Sequence, residues 1–419
     1  MAEEPTTEIG YQYDMLPGWG FWADENEKNP ALRWPESIDV YDQMRREDSQ
    51  VGSVYRAVML PVRRTAWMID PAGAREEVVQ QIAEDLGLPI KGRKFVAPIR
   101  TRNRFSWNDH VRLALLELIF GHSVFEQVYA IDPAGRTRLR KLAWRPPRTI
   151  SEFVVAPDGG LVSVKQKGAY GKGVVTIPVD RLVVYVHERE GGNWVGTSLL
   201  RSAYKNWLLK DRMLRAQALT VERNGLGIPT YTAAPTPDGE GVTPDEKKAW
   251  QESEKKSGLN LAKNTRAGEN AGASIPNGAT FELKGVTGRL PDADVPVRYH
   301  DEQIARAVLA HFLNLGTETG SWALGSTFAN FFTDSLNAIS QQIADVAQQH
   351  IVEDLVDMNW GEQERAPRIV AAEIGSENPA TVEAVQGLID AGIIKPDQTL
   401  GDFMRQRYSL PPAEDATSG

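Results

Sequence analysis

The chain has 419 residues, of which 41% are hydrophobic and 25% charged, a balance typical of a folded globular protein with one large core or two to three smaller ones. Its 47 basic and 56 acidic side chains give a formal charge of −9, which argues against a protein that grips nucleic acid by neutralising phosphates. The absence of cysteine excludes disulfides, thiolate nucleophiles and cysteine-ligated zinc. No apolar run approaches the roughly 18 residues of a membrane span, and the acidic start is unlike a secretory signal, so no membrane partner is expected.

The first 36 residues form an aromatic arm with no clear periodicity. Its large rings are those of Tyr11, Tyr13, Trp19, Phe21, Trp22 and Trp34. Because disordered tails are normally poor in aromatic residues, we expect the arm to dock on a surface. Its own chain and a neighbouring subunit are about equally good candidates, and the number of rings, which resemble interface anchors, slightly favours the neighbour.

Helices and one short strand are predicted in the next hundred residues. Apolar residues at helical spacing indicate a helix capped by Asp48 or Ser49 and another that is closed by Gly87. Between them, Trp67-Met68-Ile69 predicts a strand. The strongly apolar residues 107–130 predict one continuous buried helix.

From Leu142 to Val186 the hydrophobic period changes to two. Asp158-Gly159-Gly160 lies between β-rich runs, which is a hairpin signal. Val174–Ile177 and Leu182–Val186 add further strands. The predicted class is therefore α+β with an antiparallel sheet.

A long amphipathic helix is predicted to begin near Thr197 or Ser198 and to end at Arg223-Asn224-Gly225. On such a helix four basic residues share one face: Arg201, Lys205, Arg212 and Arg215. This stripe would suit phosphates or an acidic partner subunit, but on a lone helix a merely solvated face is favoured by roughly two to one.

Short β-type stretches broken by Pro and Gly occupy 225–242, and a second helix begins at Thr243-Pro244-Asp245-Glu246. This helix is almost wholly polar, so it needs partners or water on every side. Residues 258–279 are rich in Gly, Ala and Asn, and we expect them to be mobile. A strand at 280–283 follows.

The C-terminal third contains the longest periodic signal. A helix is predicted over 299–314, and a Gly/Ser/Thr loop with a lone Trp322 follows it. From Phe328 to Val346, apolar residues recur on average every 3.6 residues, which predicts one straight helix that continues to Met358. A small terminal unit has helices at 379–391 and 399–407. The polar tail from Pro411 is expected to be disordered.

The search for catalytic motifs finds none. Gly171-Lys172-Gly173 lacks the first glycine and the hydroxyl residue of a Walker A loop, and no G-x-S-x-G or H-E-x-x-H motif occurs. His350 and Asp354 lie one helical turn apart, but a surface pair is several times more frequent than a metal site. His300-Asp301-Glu302 is better explained as capping charge at a helix start. We expect no catalytic site, metal or cofactor.

Several short segments, in this order, resemble portal proteins of tailed bacteriophages, of the type found in siphophages of actinobacteria. They are Asp48-Ser49-Gln50-Val51-Gly52-Ser53-Val54, Gly121-His122-Ser123-Val124-Phe125-Glu126, Gly196-Thr197-Ser198-Leu199-Leu200-Arg201, Glu222-Arg223-Asn224-Gly225, His300-Asp301-Glu302-Gln303-Ile304 and Gly320-Ser321-Trp322-Ala323-Leu324. Each segment alone is weakly specific, whereas their order is specific. The resemblance covers residues 40–410.

The resemblance implies a ring, usually of twelve subunits, at one capsid vertex. Double-stranded DNA would pass through its channel without sequence specificity, in packaging and in ejection. It also implies three further partners: the major capsid protein, the large terminase subunit and a head–tail adaptor. The location would be the virion, and the host cytoplasm during assembly.

The implied fold has an α/β wing, a two-helix stem, a small β-containing clip and a long helix leading to a helical crown. The divisions are an arm at 1–36, wing at 37–195 and 276–314, stem helix 1 at 196–224, clip at 225–242, stem helix 2 with a Gly-rich connection at 243–275 (the helix itself at 243–257), a tunnel loop at 315–327, the long helix at 328–360, crown at 361–410 and tail at 411–419. The tunnel-loop candidates are Thr317, Thr319, Ser321, Trp322 and Ser326, with 285–299 as a competing loop. The clip candidates are Ile228, Pro229 and Tyr231.

In a ring, the basic stripe favours ion pairing between subunits, with DNA second. A net negative subunit, repeated around a channel, would keep the duplex from sticking. Two other classes remain open: another ring-forming virion component, such as a head–tail adaptor or a minor capsid protein, and a metal-dependent nuclease that uses scattered carboxylates.

Overall fold

The structure is a computed structural model of the chain. It describes residues 27–93, 105–168, 173–226, 228–236, 242–264, 274–284, 292, 294–308, 322–375, 382–393, 395–396 and 400–401. The predicted helix at 399–407, the tail and most of the aromatic arm lie outside these residues.

Eleven α-helices are numbered in chain order among the described residues. They are α1 Ser37–Glu47, α2 Ser49–Arg64, α3 Glu76–Leu86, α4 Trp107–Ala114, α5 Glu117–Phe120, α6 Tyr204–Leu226, α7 Pro244–Asn264, α8 Asp294–Ala307, α9 Trp322–Ala347, α10 Glu353–Trp360 and α11 Val382–Asp390. A π-helical turn, Gln348–Val352, joins α9 to α10 without a break. The helix predicted to end at Met358 thus ends at Trp360 and contains one wider turn.

Ten strands form four small antiparallel sheets in the described residues. The strands are β1 Trp67–Asp70, β2 His122–Ile131, β3 Thr137–Arg145, β4 Ile150–Val155, β5 Leu161–Lys167, β6 Val174–Pro178, β7 Leu182–Val186, β8 Ile228–Thr232, β9 Thr280–Lys284 and β10 Arg368–Ala371. The sheet orders are β1-β10, β3-β2-β7, β4-β5-β6 and β8-β9. The mixed helix and sheet class and the hairpin at Asp158-Gly159-Gly160 are confirmed.

The largest core lies where α9 and α10 pack against α2, α3, α4 and the β3-β2-β7 sheet. Its members include Ile343 and Leu355 from the long helix and Phe125 from β2, all fully buried. A second core joins α1 and α2 to the start of α6, and a third lies between the β4-β5-β6 sheet and strands β2 and β7. Strand β10 adds to β1 in register, so the segment after the long helix returns to the body.

The prediction of one helix over 107–130 is wrong. The helix ends at Phe120 because Gly121 adopts φ 82°, and the chain continues as strand β2. The first half of β2 is buried on both faces because it is the central strand of a covered sheet. Its apolar residues Val124, Phe125 and Val128 therefore do not alternate, and such a strand cannot be told from a buried helix by hydrophobic period.

Candidate assembly and channel elements

Helix α6 begins at Tyr204, about two turns later than predicted. The preceding segment, Thr197–Ala203, is a series of turns held to the body by Leu199 N–H donating to the carbonyl of Leu118 (2.8 Å). Leu200 and Ala203 are buried in the second core, together with partly buried Trp207. The first third of α6 is therefore fixed to the body of the molecule.

A buried lysine secures the same part of α6. The Lys210 ammonium lies 2.9 Å from a carboxylate oxygen of Asp48 and 2.5 Å from one of Asp301, and the residue is 5% exposed. Burial lowers the pKa of Lys210, but the hydrogen bonds and charges of Asp301 and Asp48 outweigh it and raise the pKa overall. Asp48 also caps α2 by accepting from the N–H groups of Gln50 and Val51. One ion cluster thus joins α2, α6 and α8.

Helix α8 packs along the same face of α6. His300 Nδ1 lies 3.1 Å from Asn206 Oδ1, and Ile304 is buried in the second core. The helix starts at Asp294, so His300-Asp301-Glu302 lies in its middle, and the prediction that these residues cap a helix start is wrong. Asp301 instead belongs to the Lys210 cluster.

Beyond Lys210, α6 extends from the body. Each side chain described from Asp211 to Thr220 is exposed or half-buried, including Leu214 at 42% and Leu219 at 52% exposure. A helix of this length without packing is marginal in water. This part of α6 needs a covering surface that its own chain does not supply within the described residues.

The four basic residues of the stripe do not form one helical face. Arg201 precedes α6 and is paired with Glu27, whose Oε1 accepts from its guanidinium at 2.9 Å. Arg215 pairs with Asp211 on the same helix at 2.8 Å. Lys205 and Arg212 are exposed, and no ion pair is found for either within the described residues. The prediction placed Arg201 on the helix because it started α6 too early.

The clip candidates Ile228, Pro229 and Tyr231 all lie in β8. The predicted divisions place its partner strand, β9, in the wing. In the structure β9 pairs with β8, from Ile228 opposite Lys284 to Thr232 opposite Thr280, so β9 belongs with the clip candidates instead. The two strands are separated by the whole of α7 in the chain, which is why their pairing has no local sequence signal.

Helix α7 supports this small sheet. A capping box starts it: Thr243 N–H donates to Glu246 Oε2 (2.9 Å) and Glu246 N–H donates to Thr243 Oγ1 (3.3 Å). Tyr231 Oη donates to Glu254 Oε2 (2.6 Å), and the tyrosine ring lies against Gly258, which is buried. The helix continues to Asn264, so residues 258–264, expected in a mobile segment, are helical.

Helix α9 begins at Trp322, so Trp322 and Ser326 belong to a helix and not to a loop. Thr317, Thr319 and Ser321 lie outside the described residues, as does most of the competing loop at 285–299. The apolar series starts at Phe328, and the helix extends six residues further back because Trp322-Ala323-Leu324 is itself compatible with helix.

A buried carboxyl connects the long helix to the body. Glu117 on α5 is fully buried, and its Oε2 lies 3.4 Å from Gln342 Nε2 on α9, which also donates to the carbonyl of Val186 (2.9 Å). Burial raises the pKa of Glu117 to about 8, so the carboxyl is mostly protonated at neutral pH. Sequence analysis did not single out this residue.

The described residues contain no cluster of three or more His, Cys, Asp or Glu side chains that could hold a metal ion. Asp354, one turn from His350, accepts from Gln127 Nε2 (3.0 Å) instead, and burial raises its pKa. A surface cavity of about 610 Å³ beside the π-helical turn is rich in carboxylates, of which Glu364 pairs with Arg75 and Asp70 with Lys91. Within the same part of the chain, no helix is long and apolar enough to cross a bilayer.

Comparison with known proteins gives the family. A family model described as the portal protein of Mu bacteriophage matches residues 38–410. The chain belongs to this portal protein family. The match begins at the second residue of α1 and extends past α11, so all ten described strands and the numbered helices from α2 to α11 lie wholly within it. The portal function is thereby established at the level of the family.

Solved structures share the fold of this chain. The chain is similar to a chain in the virion of a native gene transfer agent particle, at 12% identity and a TM-score of 0.53. It is also similar to chains in the neck of the empty particle with C6 symmetry (12%, 0.54) and the neck of the native particle with C12 symmetry (12%, 0.52). Each match covers 90% of this chain and 94% of the other.

Proposed function

We propose that this portal protein assembles into a ring of twelve copies whose axial channel passes double-stranded DNA during packaging and ejection. The observation that carries the proposal is the match to the portal family over residues 38–410. The similar chains in necks with C6 and C12 symmetry support a ring of this order. The unsupported outer part of α6 supports it as well, because a neighbouring copy would supply the missing surface.

The divisions of the chain are proposed with boundaries adjusted to its elements. The body from α1 to β7, together with α8, is the wing. Helices α6 and α7 are the stem, and the β8-β9 sheet is the clip, where Ile228, Pro229 and Tyr231 lie. The long helix, α9 with α10, and strand β10, which pairs with β1, belong to the body, and the crown follows from residue 372 in place of 361. Of the tunnel-loop candidates at 315–327, Thr317, Thr319 and Ser321 precede α9 and remain the proposal.

The exposed basic residues of the stem are proposed to pair with an adjacent subunit. Lys205 and Arg212 carry most of this role, because Arg201 and Arg215 already have carboxylate partners in their own chain. The net charge of −9 per copy supports a channel that does not retain the duplex.

The partners are proposed from the portal family. The ring would contact the major capsid protein at one vertex, then the large terminase subunit and later a head–tail adaptor. It would act in the virion and assemble in the host cytoplasm. An actinobacterial siphophage as the source remains a proposal from sequence resemblance.

Native mass spectrometry and negative-stain imaging of the purified protein test the proposal. We expect closed rings with a central hole and a mass of twelve chains, about 560 kDa from the 46.4 kDa chain. A stable monomer or an open filament at micromolar concentration would contradict the ring. Cleavage of plasmid DNA in the presence of Mg²⁺ would contradict a structural role and favour the nuclease alternative.

A further inference from the structure

Strand β6 presents an uncovered apolar edge. It pairs with β5 on one side, and no other described strand pairs with its second side. Val174 and Val175, the first two residues of this edge strand, are 60% and 45% exposed, whereas Ile177 of the same strand and Val164 beside it are buried. Val162 on β5 and Val179 after β6 are also exposed, at 48% and 39%. These four valines define the β6 edge surface.

Natural sheets normally protect an edge of this kind with charges, bulges or proline. Strand β6, Val-Val-Thr-Ile-Pro, has no charged residue, and its proline is at the last position. Basic side chains lie around the strand: Lys167 is opposite Val174 in the register, and Arg181 follows in the next turn, both exposed. The β6 edge surface therefore suits an extended segment that is apolar on alternate residues and acidic overall.

The aromatic arm of this chain has that chemistry. Although the arm as a whole has no clear periodicity, Ile9-Gly10-Tyr11-Gln12-Tyr13 places apolar side chains at every second position. The first 14 residues also hold four acidic side chains, Glu3, Glu4, Glu8 and Asp14, and no basic one. Strand pairing would supply backbone hydrogen bonds, and the two tyrosines, which share one face of the added strand, would cover the exposed valines on that face of the sheet.

The start of the described chain indicates which copy supplies the arm. Glu27 is paired with Arg201, and the ring of Trp34 lies 6.0 Å from that of Phe153 on β4. Strand β4 is the opposite edge of the sheet that ends in β6. The arm therefore leaves the body at Arg201, shortly before α6, the helix proposed to pack on an adjacent subunit, so in a ring it leaves close to that neighbour. The 13 residues from Asp14 to Glu27 can span roughly 40 Å when extended.

We propose that residues 9–13 of one subunit add a strand to the β6 edge surface of the adjacent subunit. The inference rests on the proposed ring, since the acceptor is a second copy of the chain. It gives the arm a defined partner and the β4-β5-β6 sheet a role in assembly.

Engineered disulfides test the pairing, because the chain contains no cysteine of its own. In the double variant Tyr11→Cys with Val175→Cys, oxidation of assembled rings should yield covalent multimers on a non-reducing gel. The matched control, Gln12→Cys with Val175→Cys, puts the thiol on the opposite face of the added strand and should form roughly tenfold less multimer, since a disulfide requires Cβ atoms about 4 Å apart. A cross-linked monomer would assign the arm to its own chain, and equal yields from both pairs would contradict a registered strand; either result overturns the proposal.

Hydrogen exchange provides a second readout that needs no chosen register. We expect the β6 amides that point away from β5 to exchange at least about tenfold faster in rings lacking residues 1–26 than in full-length rings, because the added strand would no longer accept from them. Unchanged exchange in intact rings would overturn the arm proposal alone. Failure of the full-length protein to form rings, seen by native mass spectrometry in the same preparation, would instead contradict the proposed function.

Discussion

Gly121 and Gly196 meet where the central strand β2 begins and the segment leading to α6 leaves the sheet. Both have positive φ, 82° and 70°. A Cβ on Gly121 would lie 2.4 Å from the carbonyl oxygen of Val195, and one on Gly196 would lie 2.2 Å from the carbonyl oxygen of Gly121. Only glycine allows the two backbones to approach this closely.

Replacing Gly121 with alanine should therefore destabilise the fold by about 2–4 kcal/mol, from left-handed strain plus a clash with backbone that cannot move away. Urea unfolding followed by circular dichroism measures the change. Gly135→Ala is the matched control: its φ is 78° but nothing lies within 4 Å of the added carbon, so it should cost only about 1 kcal/mol. Equal costs at the two positions would show that the close approach is unimportant.

Glu117 gives a pH-dependent contribution to stability. Its pKa in the folded state is about 8, above the ordinary value of 4.5, so the folded state binds its proton more tightly than the unfolded state. The contribution is fully present below about pH 4.5 and is lost as the pH rises to about 8, at about 1.4 kcal/mol per pH unit. Above pH 8 both states are ionised and the loss stops.

The isosteric variant Glu117→Gln lacks this titration. Between pH 5 and pH 8, its free energy of unfolding should rise relative to that of the unsubstituted protein by about 3–4 kcal/mol. Denaturant curves of the two proteins at three pH values measure the difference. Parallel pH profiles would mean that Glu117 is ionised in the folded state.

At the scale of elements, Lys210 determines how α6 is held. Replacing it with methionine leaves Asp48 and Asp301 facing each other without a counter-charge. The free energy of unfolding should fall by about 2–4 kcal/mol, which is less than for breaking a fully buried pair because the Asp301 side chain is 30% exposed. Hydrogen exchange should locate the loss in the first turns of α6.

Two further variants check that assignment. Lys141→Met, at an exposed lysine of β3 for which no subunit contact is proposed, should have no measurable effect on stability. Adding Asp48→Asn and Asp301→Asn to Lys210→Met should restore part of the loss, since asparagine still caps α2 and removes both unpaired charges. No restoration would indicate that packing of the lysine stem, and not charge, is what α6 requires.

Gly258 governs the contact between α7 and the β8-β9 sheet. Alanine in place of a helical glycine normally stabilises a helix by about 1 kcal/mol. Here the new carbon would lie 2.1 Å from the ring of Tyr231, so we expect Gly258→Ala to destabilise the protein or to release the sheet. In a Tyr231→Ala background, Gly258→Ala should instead stabilise the protein. Gly387→Ala on α11, where the added carbon meets open space, should be stabilising with or without Tyr231. Thermal unfolding of the four variants measures this, and stabilisation by Gly258→Ala alone would contradict the contact.

At the scale of the whole molecule, charge on helix α6 should affect assembly more than folding. Reversal at Lys205 and Arg212 to glutamate is expected to reduce the ring fraction by at least about tenfold, while DNA packaging by rings that still form is affected less. Native mass spectrometry measures the ring fraction. Reversal at the exposed Arg140 and Lys141 of β3 is the control with the same charge change. Intact rings in the Lys205 and Arg212 variant would refute intersubunit pairing.

Several elements were predictable because their signals are local. Gly87 ends α3 in the left-handed conformation, Asp48 caps α2, Thr243 and Glu246 form a capping box, and Asp158-Gly159-Gly160 turns a hairpin. Each depends on residues within about four positions. Lys210 was not predictable in the same way, since its partners lie 162 residues before it and 91 after it. The only sign of this cluster in the sequence is that Lys210 lies on the same helical face as Ala203 and Trp207.

The amino-acid sequence alone determined the mixed α+β class, the long apolar helix after Phe328 and, through the order of weak motifs, the portal family. These follow from spacing and from local backbone preferences, which short segments carry. Tertiary structure decided that the apolar run after Gly121 is a strand, that β9 belongs with β8, and that the basic stripe is divided between paired and unpaired residues. Strand pairing and buried ion clusters join residues far apart in the chain, so their energies depend on the packing of the whole molecule.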